Sequence, residues 1–397
     1  MILTPQRLEE IASRFGKLRV ALVGDICLDR YFEIDPGLQE VSIETKLPVH
    51  NVVRVRCQPG GAGTILNNLA ALGVGEIWPV AIIGKDGEGF ELRRALEIVG
   101  EGRSKFNHEG HEDHERGEGD KKNEREEGRS SVSGGMDAGC SARGDARAPE
   151  TVARRQPRTT RVRLDWVVES EERHTFTYSK PLLMHKARAP EELSRLDMKN
   201  WTPTPVALQE RMAEAVRALG REVDAMILLD QVDLPETGVV TRRVLEAVRE
   251  VAEANPKLLV IADSRRSLRG FPKMSFKMNA AELGLFFNST RLSVEEVKEK
   301  ARILSKQNGR HVFVTMSERG MVGAKSDEVE WVPALPVRGE IDIVGAGDAV
   351  TANLTAALGA GAELREALEM AQLAASVVVH QLGTTGTASV DEMRKFL

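Results

Sequence analysis

The sequence predicts an α/β protein in which a mostly parallel β-sheet is covered by helices on both faces. Short apolar runs typical of buried strands recur along the 397 residues, and amphipathic helical patterns lie between many of them. Strands that alternate with helices form parallel sheets, because each helix carries the chain back to the start of the next strand. The apolar runs lie at residues 19–25, 77–84, 224–230, 257–263 and 311–317, and the helical patterns at 66–73, 241–254 and 293–307.

The net charge, the cysteine spacing and the hydropathy limit the classes of protein to which this chain can belong. The chain has 55 Lys+Arg against 60 Asp+Glu, a net charge of -5, which argues against nucleic acid as a partner. The three cysteines have no spacing typical of disulfides or metal sites, which indicates reduced thiols. No window approaches the ~20 apolar residues of a membrane span, and the N-terminus lacks the apolar core of a signal peptide. We therefore expect a cytoplasmic protein with no membrane partner.

Three of the predicted strands end in an aspartate, namely Asp25, Asp230 and Asp263. In parallel α/β sheets, ligands bind beyond the carboxyl ends of the strands. Each aspartate is therefore either close to a site or simply a polar residue that ends a strand, and the sequence leaves both interpretations open.

Two stretches break the alternation of strands and helices. Residues 50–58, and residues 159–170 together with 173–180, alternate between apolar and polar side chains, which predicts a small antiparallel sheet appended to the main body. An appended sheet beside an active site is a candidate lid, because its closure would exclude water.

Residues 101–157 differ from the rest of the chain. They are rich in Gly, Ser and mixed charge and have almost no large apolar side chains, so we predict a disordered insertion. His108, His111 and His114 lie three residues apart within it. We do not expect a metal site there, because no helix is predicted to hold them together.

The first glycine-rich stretch, QPGGAGTILNNLAALG at 58–73, places Gly60 and Gly61 before a helix that Gly73 can end in the left-handed conformation. Adjacent glycines allow the backbone to approach a ligand closely. The alternative is an ordinary turn followed by close helix packing.

The second stretch, DIVGAGDAV at 342–350, leads into another helical pattern. A dinucleotide-binding turn requires a third glycine, and Val350 occupies that position, so this interpretation is weak. The start of a helix binds anions through free backbone amides, here those of Gly345, Ala346 and Gly347. Asp348 would stay ionised in the first turn and could accept a proton from an attacking hydroxyl, which together suits phosphoryl transfer. The alternative is that Asp348 only stabilises the helix start.

These two stretches resemble the two signatures of the PfkB/ribokinase family of carbohydrate kinases. The resemblance implies a ribokinase-like three-layer sandwich, with a mostly parallel central sheet, forming a single domain over 1–397. It also implies a small β lid from parts of 31–58 and 158–180, with lid strands that could pair two subunits as a homodimer. The implied activity is ATP-dependent phosphorylation of a hydroxyl group on a sugar or sugar phosphate.

The resemblance also assigns roles to residues of the acceptor side. VGDICLD at 23–29 resembles the family's first strand, whose last aspartate, here Asp29, contacts sugar hydroxyls beside Gly60 and Gly61. Many relatives have Asn at the position of Thr64. Asn67 and Asn68 lie three and four residues later on the same helical face, and either could supply the missing amide.

On the nucleotide side, MNAAEL at 278–283 resembles the family element in which Asn279 and Glu282 organise Mg²⁺, here expected to act through water. VTMSERGM at 314–321 and LAASVVVHQLGTTG at 373–386 resemble segments that border the nucleotide and the adenine pocket. Activation by K⁺ is left open, because Ile343 follows Asp342 where relatives have Thr. The residues of the first of these bordering segments that we expect at the nucleotide are Ser317, Glu318 and Gly320.

Within the family, GDICLDRYFEID and VSIETKLPVHNV are most similar to the kinases of a heptose 7-phosphate. Bifunctional members of that branch carry an added nucleotidyltransferase domain, which we expect to be absent here. LLDQVDLP at 228–235 replaces a glycine-rich stretch of that branch, so the sugar stays open. Candidate cations for a substrate phosphate are Lys46, Arg161 and Arg163.

Three alternatives follow. The chain could be a fructokinase, ribokinase or adenosine kinase of the same family, or a non-catalytic relative that binds a sugar or nucleotide. A nicotinamide oxidoreductase would require a fingerprint after the first strand, and VGDICLD lacks one.

Overall fold

The structure, a computed structural model, describes residues 2–100, 160–185, 188 and 190–397. The predicted insertion at 101–157 and its three histidines therefore lie outside the described residues. Within the described ranges, no helix is long and apolar enough to cross a membrane.

Strands and helices alternate along much of the described chain. In chain order, the strands are β1 Arg19–Gly24, β2 Ile26–Ile34, β3 Glu40–Val41, β4 Pro48–Val49, β5 Val52–Gly61, β6 Glu76–Gly84, β7 Arg161–Val162, β8 Val167–Ser170, β9 Thr177–Leu183, β10 Glu191–Glu192, β11 Leu196–Met198, β12 Ala225–Asp230, β13 Leu259–Ser264, β14 Ser275–Asn279, β15 Val312–Thr315, β16 Met321–Lys325 and β17 Glu328–Val332. The helices are α1 Pro5–Ala12, α2 Ala62–Leu72, α3 Gly87–Gly100, α4 Val206–Leu219, α5 Arg242–Ala254, α6 Ala280–Phe286, α7 Val294–Asn308, α8 Ala346–Gly359, α9 Leu364–Val379 and α10 Val390–Arg394.

The main sheet has the strand order β17-β16-β15-β14-β13-β12-β1-β6-β7, and β8 also pairs with β6. Its pairs are parallel from β7 to β15 and antiparallel only in the edge hairpin of β15, β16 and β17. All five predicted apolar runs contribute strands to this sheet, and the predicted fold class is confirmed.

Helices cover both faces of the main sheet. Side chains alternate along a strand, so Val20 and Leu22 of β1 pack into one core with α2, α8 and α9. Ala21 and Val23 pack into the opposite core with α4, α5 and α7. Burial on both faces explains why these strands are continuous apolar runs.

A second sheet has the order β10-β9-β2-β5, with β11 also paired to β9. Asp25 is the only residue between β1 and β2, and β5 leads directly into α2. These short connections attach the second sheet to the main sheet at the edge where β1 ends.

The alternating stretch 159–170 differs from the expectation that it joins the appended sheet. Arg161–Val162 and Val167–Ser170 instead run parallel to β6 in the main sheet. Val167 and Val168 are buried in the two cores, so the apolar positions of this stretch face the main body. The second sheet contains part of the predicted range, 177–180, and continues through β10 and β11.

Local signals fix several helix ends. Gly73 ends α2 with φ +77°, in the predicted left-handed conformation. Ser293 and Glu296 form a reciprocal capping box at the start of α7, which satisfies two backbone amides that the helix leaves unpaired.

Candidate active site

A cavity of about 230 Å³ lies between the second sheet and the carboxyl ends of β1, β12 and β13. Its walls come from both glycine-rich stretches and from both sheets, as expected for a ligand site at the carboxyl edge of a parallel sheet. Five of the sequence-predicted site residues line it, although more than 300 positions separate the first from the last. They are Asp29, Gly61, Thr64, Gly345 and Asp348.

The start of α8 forms an anion cradle at one end of this cavity. Gly345 has φ +83° and caps the helix, a conformation that glycine adopts without strain. Among the described residues, the amides of Gly345, Gly347 and Asp348 have no hydrogen-bond partner, whereas that of Ala346 donates to the carbonyl of Ile343 at 3.3 Å. Three of the four amides at this helix start are therefore free to bind an anion.

Asp348 projects from the first turn of α8 into the cavity. Its carboxylate has no hydrogen-bond partner among the described residues, so its oxygens are free to accept a proton. Enclosure by the surrounding protein, together with the nearby carboxylates of Asp263 and Asp29, raises the pKa of Asp348 to about 7. The expectation of a fully ionised carboxylate is therefore wrong, because this enclosure outweighs the favourable charge of the helix start and of Lys277.

Lys277 is a residue that the sequence interpretation missed. It lies on β14 with only 7% of its surface exposed, and its Nζ is 2.6 Å from Oδ2 of Asp263. Burial alone would lower the pKa of this amine, but Asp263, together with Asp348 and Glu282, outweighs burial and raises it. A Cβ on Gly347 would lie 3.1 Å from Nζ, so the ammonium group lies directly against the anion cradle. The signal in the sequence was a lysine within an apolar strand, which requires an ionic partner.

Asp29 lies on β2 beside the cavity and is 4% exposed. Burial raises the pKa of its carboxyl, and Lys180, with Nζ 3.3 Å from Oδ1, opposes that rise. Gly60 does not line the cavity; a Cβ there would lie 2.7 Å from Oδ2 of Asp29, so this glycine makes room for the carboxylate. Its direct contact with a ligand stays a prediction.

Thr64 and Asn68 of α2 have different surroundings. The Thr64 hydroxyl is buried at the cavity wall without a hydrogen-bond partner among the described residues. The Asn68 amide donates to the carbonyls of Thr64 and Gly386 and accepts from the amide of Ala388. Asn68 is not among the cavity-lining residues, because its amide instead holds the loop that follows α9.

The aspartates at the strand ends serve different purposes. Asp25 lines the cavity but accepts from the amides of Gln231 and Val239, and burial raises its pKa to about 7. Asp230 is fully buried and bound by Ser264 and Arg266. Only the third, Asp263, reaches the cradle, through Lys277.

The predicted metal residues form a helix cap. The Asn279 side chain accepts from the amide of Glu282 at 2.9 Å, and the Glu282 carboxylate accepts from the amide of Asn279 at 2.7 Å. No cluster of three or more His, Cys, Asp or Glu side chains suited to a metal occurs in the described part of the chain. A cation here would therefore have to rely on water and ligand oxygens for most of its coordination.

The remaining nucleotide-side residues lie outside the cavity lining. Ser317 and Glu318 are exposed in a 3₁₀ turn after β15, and Gly320 has φ +86°. The loop after α9 is tied to the cradle segment, because Asp342 accepts from the amides of Val344 and Gly383. These positions share the carboxyl edge of the main sheet with the cradle, and their contacts with a nucleotide stay predictions.

The three cations proposed for a substrate phosphate lie elsewhere. Arg161 pairs with Glu76 and Arg163 with Asp165, and Lys46 lies in the turn between β3 and β4. Sequence proximity to the predicted lid misled the choice, because 160–163 belongs to the main sheet. The cations that line the cavity are Lys180, Arg195, Lys199 and Arg265.

Comparison with known proteins agrees with this geometry. The chain is 28% identical over 396 residues to the bifunctional protein HldE of Bradyrhizobium sp. (strain ORS 278), and 25% identical over 386 residues to that of Gluconobacter oxydans (strain 621H). The alignments cover 98% and 97% of this chain, and the chain spans 65% of the length of each relative.

Solved structures share the fold. Escherichia coli phosphofructokinase-2 in complex with potassium superposes with a TM-score of 0.62 at 16% identity, over 95% of this chain and 97% of that one. Arabidopsis thaliana ribokinase complexed with ribose and ATP gives a TM-score of 0.57 at 17% identity, over 95% and 98%.

Residues 237–391, which contain Lys277, the Asn279 cap and the whole anion cradle, match the model of the pfkB family carbohydrate kinases. This segment is therefore similar to the pfkB family carbohydrate kinases, and the fold shared with the solved kinases extends over 95% of the chain.

Proposed function

We propose that the protein transfers the γ-phosphoryl group of ATP to a hydroxyl group of a sugar or sugar phosphate. The observation that carries this proposal is the juxtaposition, in one cavity, of a free carboxylate on Asp348 with free amides at the start of α8. A carboxyl with a pKa of about 7 can accept the proton of an attacking hydroxyl near neutral pH. The neighbouring amides and Lys277 stabilise negative charge that develops on the transferred group.

The acceptor would lie between the second sheet and Asp348. Asp29 accepts from a sugar hydroxyl while Lys180 holds it in place. The unpartnered Thr64 hydroxyl donates to or accepts from another, and Gly61 allows close approach of the backbone. Asp348 then takes the proton from the hydroxyl that points toward the cradle.

The residues around the cradle fit a nucleotide. When bound, ATP supplies the phosphoryl group, and Mg²⁺ neutralises part of its charge. Lys277 and the free amides suit phosphate oxygens, while Asn279 and Glu282 can orient water around Mg²⁺. Ser317, Glu318 and Gly320 would border the nucleotide. Activation by K⁺ is tested by comparing the rate of ATP consumption in KCl with that in NaCl. Exposed apolar side chains suited to a base precede the cradle at Ile341, Ile343 and Val344, and Leu382 adjoins Gly383, which Asp342 holds.

We propose a phosphorylated acceptor, with D-glycero-D-manno-heptose 7-phosphate as the first candidate. Arg195, Lys199 and Arg265 line one end of the cavity, and within the described part of the chain their ion pairs share two carboxylates, those of Asp197 and Asp233. This end thus carries one excess positive charge, which suits a phosphate held away from the reacting hydroxyl.

The test is an ATP-consumption assay with heptose 7-phosphate, fructose, fructose phosphates, ribose and adenosine. We expect ADP release with at least one sugar or sugar phosphate, and we expect Asp348→Asn to lower kcat with it by at least about 100-fold. Binding of a sugar without ADP release would favour the non-catalytic alternative, and a near-normal kcat in Asp348→Asn would exclude Asp348 as the base.

Thermal unfolding at pH 8 provides the control for Asp348→Asn. Since the pKa of Asp348 is higher in the folded protein than in the unfolded chain, the folded state loses stability as the pH rises towards about 7, and the full cost is present at pH 8. The neutral amide removes that cost. We therefore expect the variant to unfold at a temperature no lower than that of the wild type.

We also propose a homodimer formed through the second sheet. Strand β5 is an edge of this sheet, and Val52 and Val53 on it are exposed, as are Val41 and Ile43 in the adjacent β3–β4 segment. Sedimentation should give about twice the 43.6 kDa of one chain. Val53→Lys should give the mass of one chain, and a wild-type monomer at micromolar concentration would contradict the proposal.

A further inference from the structure

Gln58 lies where the two sheets face the same loop, and the kinase assignment leaves its contacts unexplained. It is on β5, directly opposite Asp29 of β2 in the antiparallel register. Its Oε1 accepts from the hydroxyl of Thr384 at 3.0 Å, and its Nε2 donates to the hydroxyl of Thr385. One amide of the second sheet is thus bonded to two consecutive residues of the loop after α9.

Thr385 continues this connection to the anion cradle. A Cβ on Gly345 would lie 3.3 Å from Cβ and 3.4 Å from Cα of Thr385. The loop residue that Gln58 holds therefore packs directly against the glycine that starts α8. A displacement of Thr385 would therefore shift Gly345 and the amides that follow it.

The other end of the connection reaches the acceptor carboxylate. Nε2 of Gln58 also lies 3.4 Å from the hydroxyl of Tyr31, and Nζ of Lys180 lies 3.3 Å from both that hydroxyl and Oδ1 of Asp29. The contacts run without interruption from Asp29 through Lys180, Tyr31 and Gln58 to Thr385.

The loop keeps other anchors when Gln58 is removed. Asn68 holds Gly386 and Ala388 from α2, and Asp342 holds Gly383 from the cradle segment. Gln58 connects the loop to the second sheet, whereas these anchors connect it to the main body. Loss of the Gln58 side chain should therefore remove the connection between the second sheet and the cradle without unfolding the protein.

We propose that Gln58 is a positioning residue that couples binding of the acceptor to binding of the nucleotide. This inference rests on the proposed function. An acceptor that orders Asp29 and Lys180 orders Gln58 and Thr385 as well, so the cradle is already arranged when a nucleotide arrives. By linkage, nucleotide binding then strengthens acceptor binding by the same factor.

The test compares Gln58→Ala with Asn51→Ala. Asn51 immediately precedes β5, its amide donates to the carbonyl of Leu38 and the carboxylate of Glu40, and it does not line the cavity. Calorimetry measures the Kd of Mg·ADP without and with saturating D-glycero-D-manno-heptose 7-phosphate, or the sugar that gives most turnover. Hydrogen exchange of the amides at 383–386 and 345–347 is measured in the absence of any ligand.

We expect the acceptor to lower the Kd of Mg·ADP by about fivefold or more in the wild type and in Asn51→Ala. In Gln58→Ala, the ratio of the two Kd values should fall to about one, with an unchanged unfolding temperature and faster exchange only in the two segments. An accepted sugar that leaves the Kd of wild-type protein unchanged would overturn the inference, and so would unaltered coupling in Gln58→Ala.

The exchange measurement separates this inference from the proposed function. If no sugar is phosphorylated but Gln58→Ala accelerates exchange in both segments, the kinase proposal fails while the physical link stands. If exchange at 345–347 equals that of the wild type, the link itself is refuted, whatever the assay of turnover gives.

Discussion

At the scale of single residues, the site depends on charges that the protein has removed from water. The pKa of Asp348 is raised to about 7, and Lys277 and Asp263 form an ion pair behind the cradle. Lys277 lowers the pKa of Asp348 and so opposes the effect of burial. The balance between these groups sets the fraction of protein in which Asp348, the proposed base, is ionised at neutral pH.

This balance predicts the pH dependence. Because only the ionised carboxylate accepts a proton, kcat/KM should rise with pH and level off above about pH 7. Lys277→Met removes the cation that favours ionisation, so the rise should move to higher pH by about one pH unit, with a lower plateau. The measurement is kcat/KM across the neutral range.

The double variant Lys277→Met/Asp263→Asn controls for an unpaired buried carboxylate at Asp263. Removal of the Asp263 charge lowers the pKa of Asp348. The rise in kcat/KM of the double variant should therefore occur at a lower pH than the rise in Lys277→Met. An unchanged profile in both variants would mean that another group limits the rate on the acid side.

At the scale of elements, the start of α8 determines where an anion can bind. The left-handed Gly345 turns the chain so that the next amides face the cavity rather than the preceding carbonyls. Only glycine adopts φ +83° without strain, and Thr385 leaves little room for a side chain there. The helix supplies the amides, and the residue before it directs them.

Gly345→Ala should therefore lower both stability and turnover. Left-handed backbone costs a residue with a Cβ about 1–2 kcal/mol, and relief of that strain would move the amides. We expect a kcat reduced at least about tenfold. The matched control is Gly270→Ala, which has φ +82° and nothing within 4 Å of the added Cβ.

Gly270→Ala should lose a similar free energy of unfolding, measured in urea, and keep its turnover. Equal turnover in both variants would show that the orientation of these amides does not limit catalysis.

At the scale of the whole molecule, the chain reaches the site from segments far apart in sequence. The second sheet takes strands from three regions of the chain. Between the second and third of these regions, the chain adds β7 and β8 to the main sheet. A Cβ on Gly100 would lie 3.3 Å from Cβ of Val162, so α3 ends beside β7. The described chain thus stops at Gly100 and resumes at residue 160 close by.

We predict that residues 101–157 can be replaced by a Gly/Ser linker of about six residues, because the described chain on the two sides of the gap meets at Gly100 and Val162. The unfolding temperature should change by less than about 4 °C, since no described core residue is removed. ATP consumption should stay at the wild-type level, measured with the sugar that gives most turnover. A large loss of either quantity would show that the segment belongs to the domain.

Much of the fold was accessible from the sequence. The apolar runs became parallel strands because burial on both faces demands continuous apolar side chains, a pattern visible one residue at a time. Residues 159–170 were misassigned because alternation says that one face is buried but not which sheet provides the partner. Strands β10 and β11 were missed because short, polar edge strands have almost no local signal.

The sequence by itself determined five strands of the main sheet, β1, β6, β12, β13 and β15, and the candidate residues Asp348, Gly345, Asp29 and Thr64, because periodicity and turn chemistry are local properties. Only the tertiary structure decided that Lys277 backs the cradle, that Asn68 holds a loop, and that the cavity cations come from 180, 195, 199 and 265. It also decided the pKa of Asp348. Burial and charge pairing depend on which distant segments meet, and no spacing along the chain contains that information.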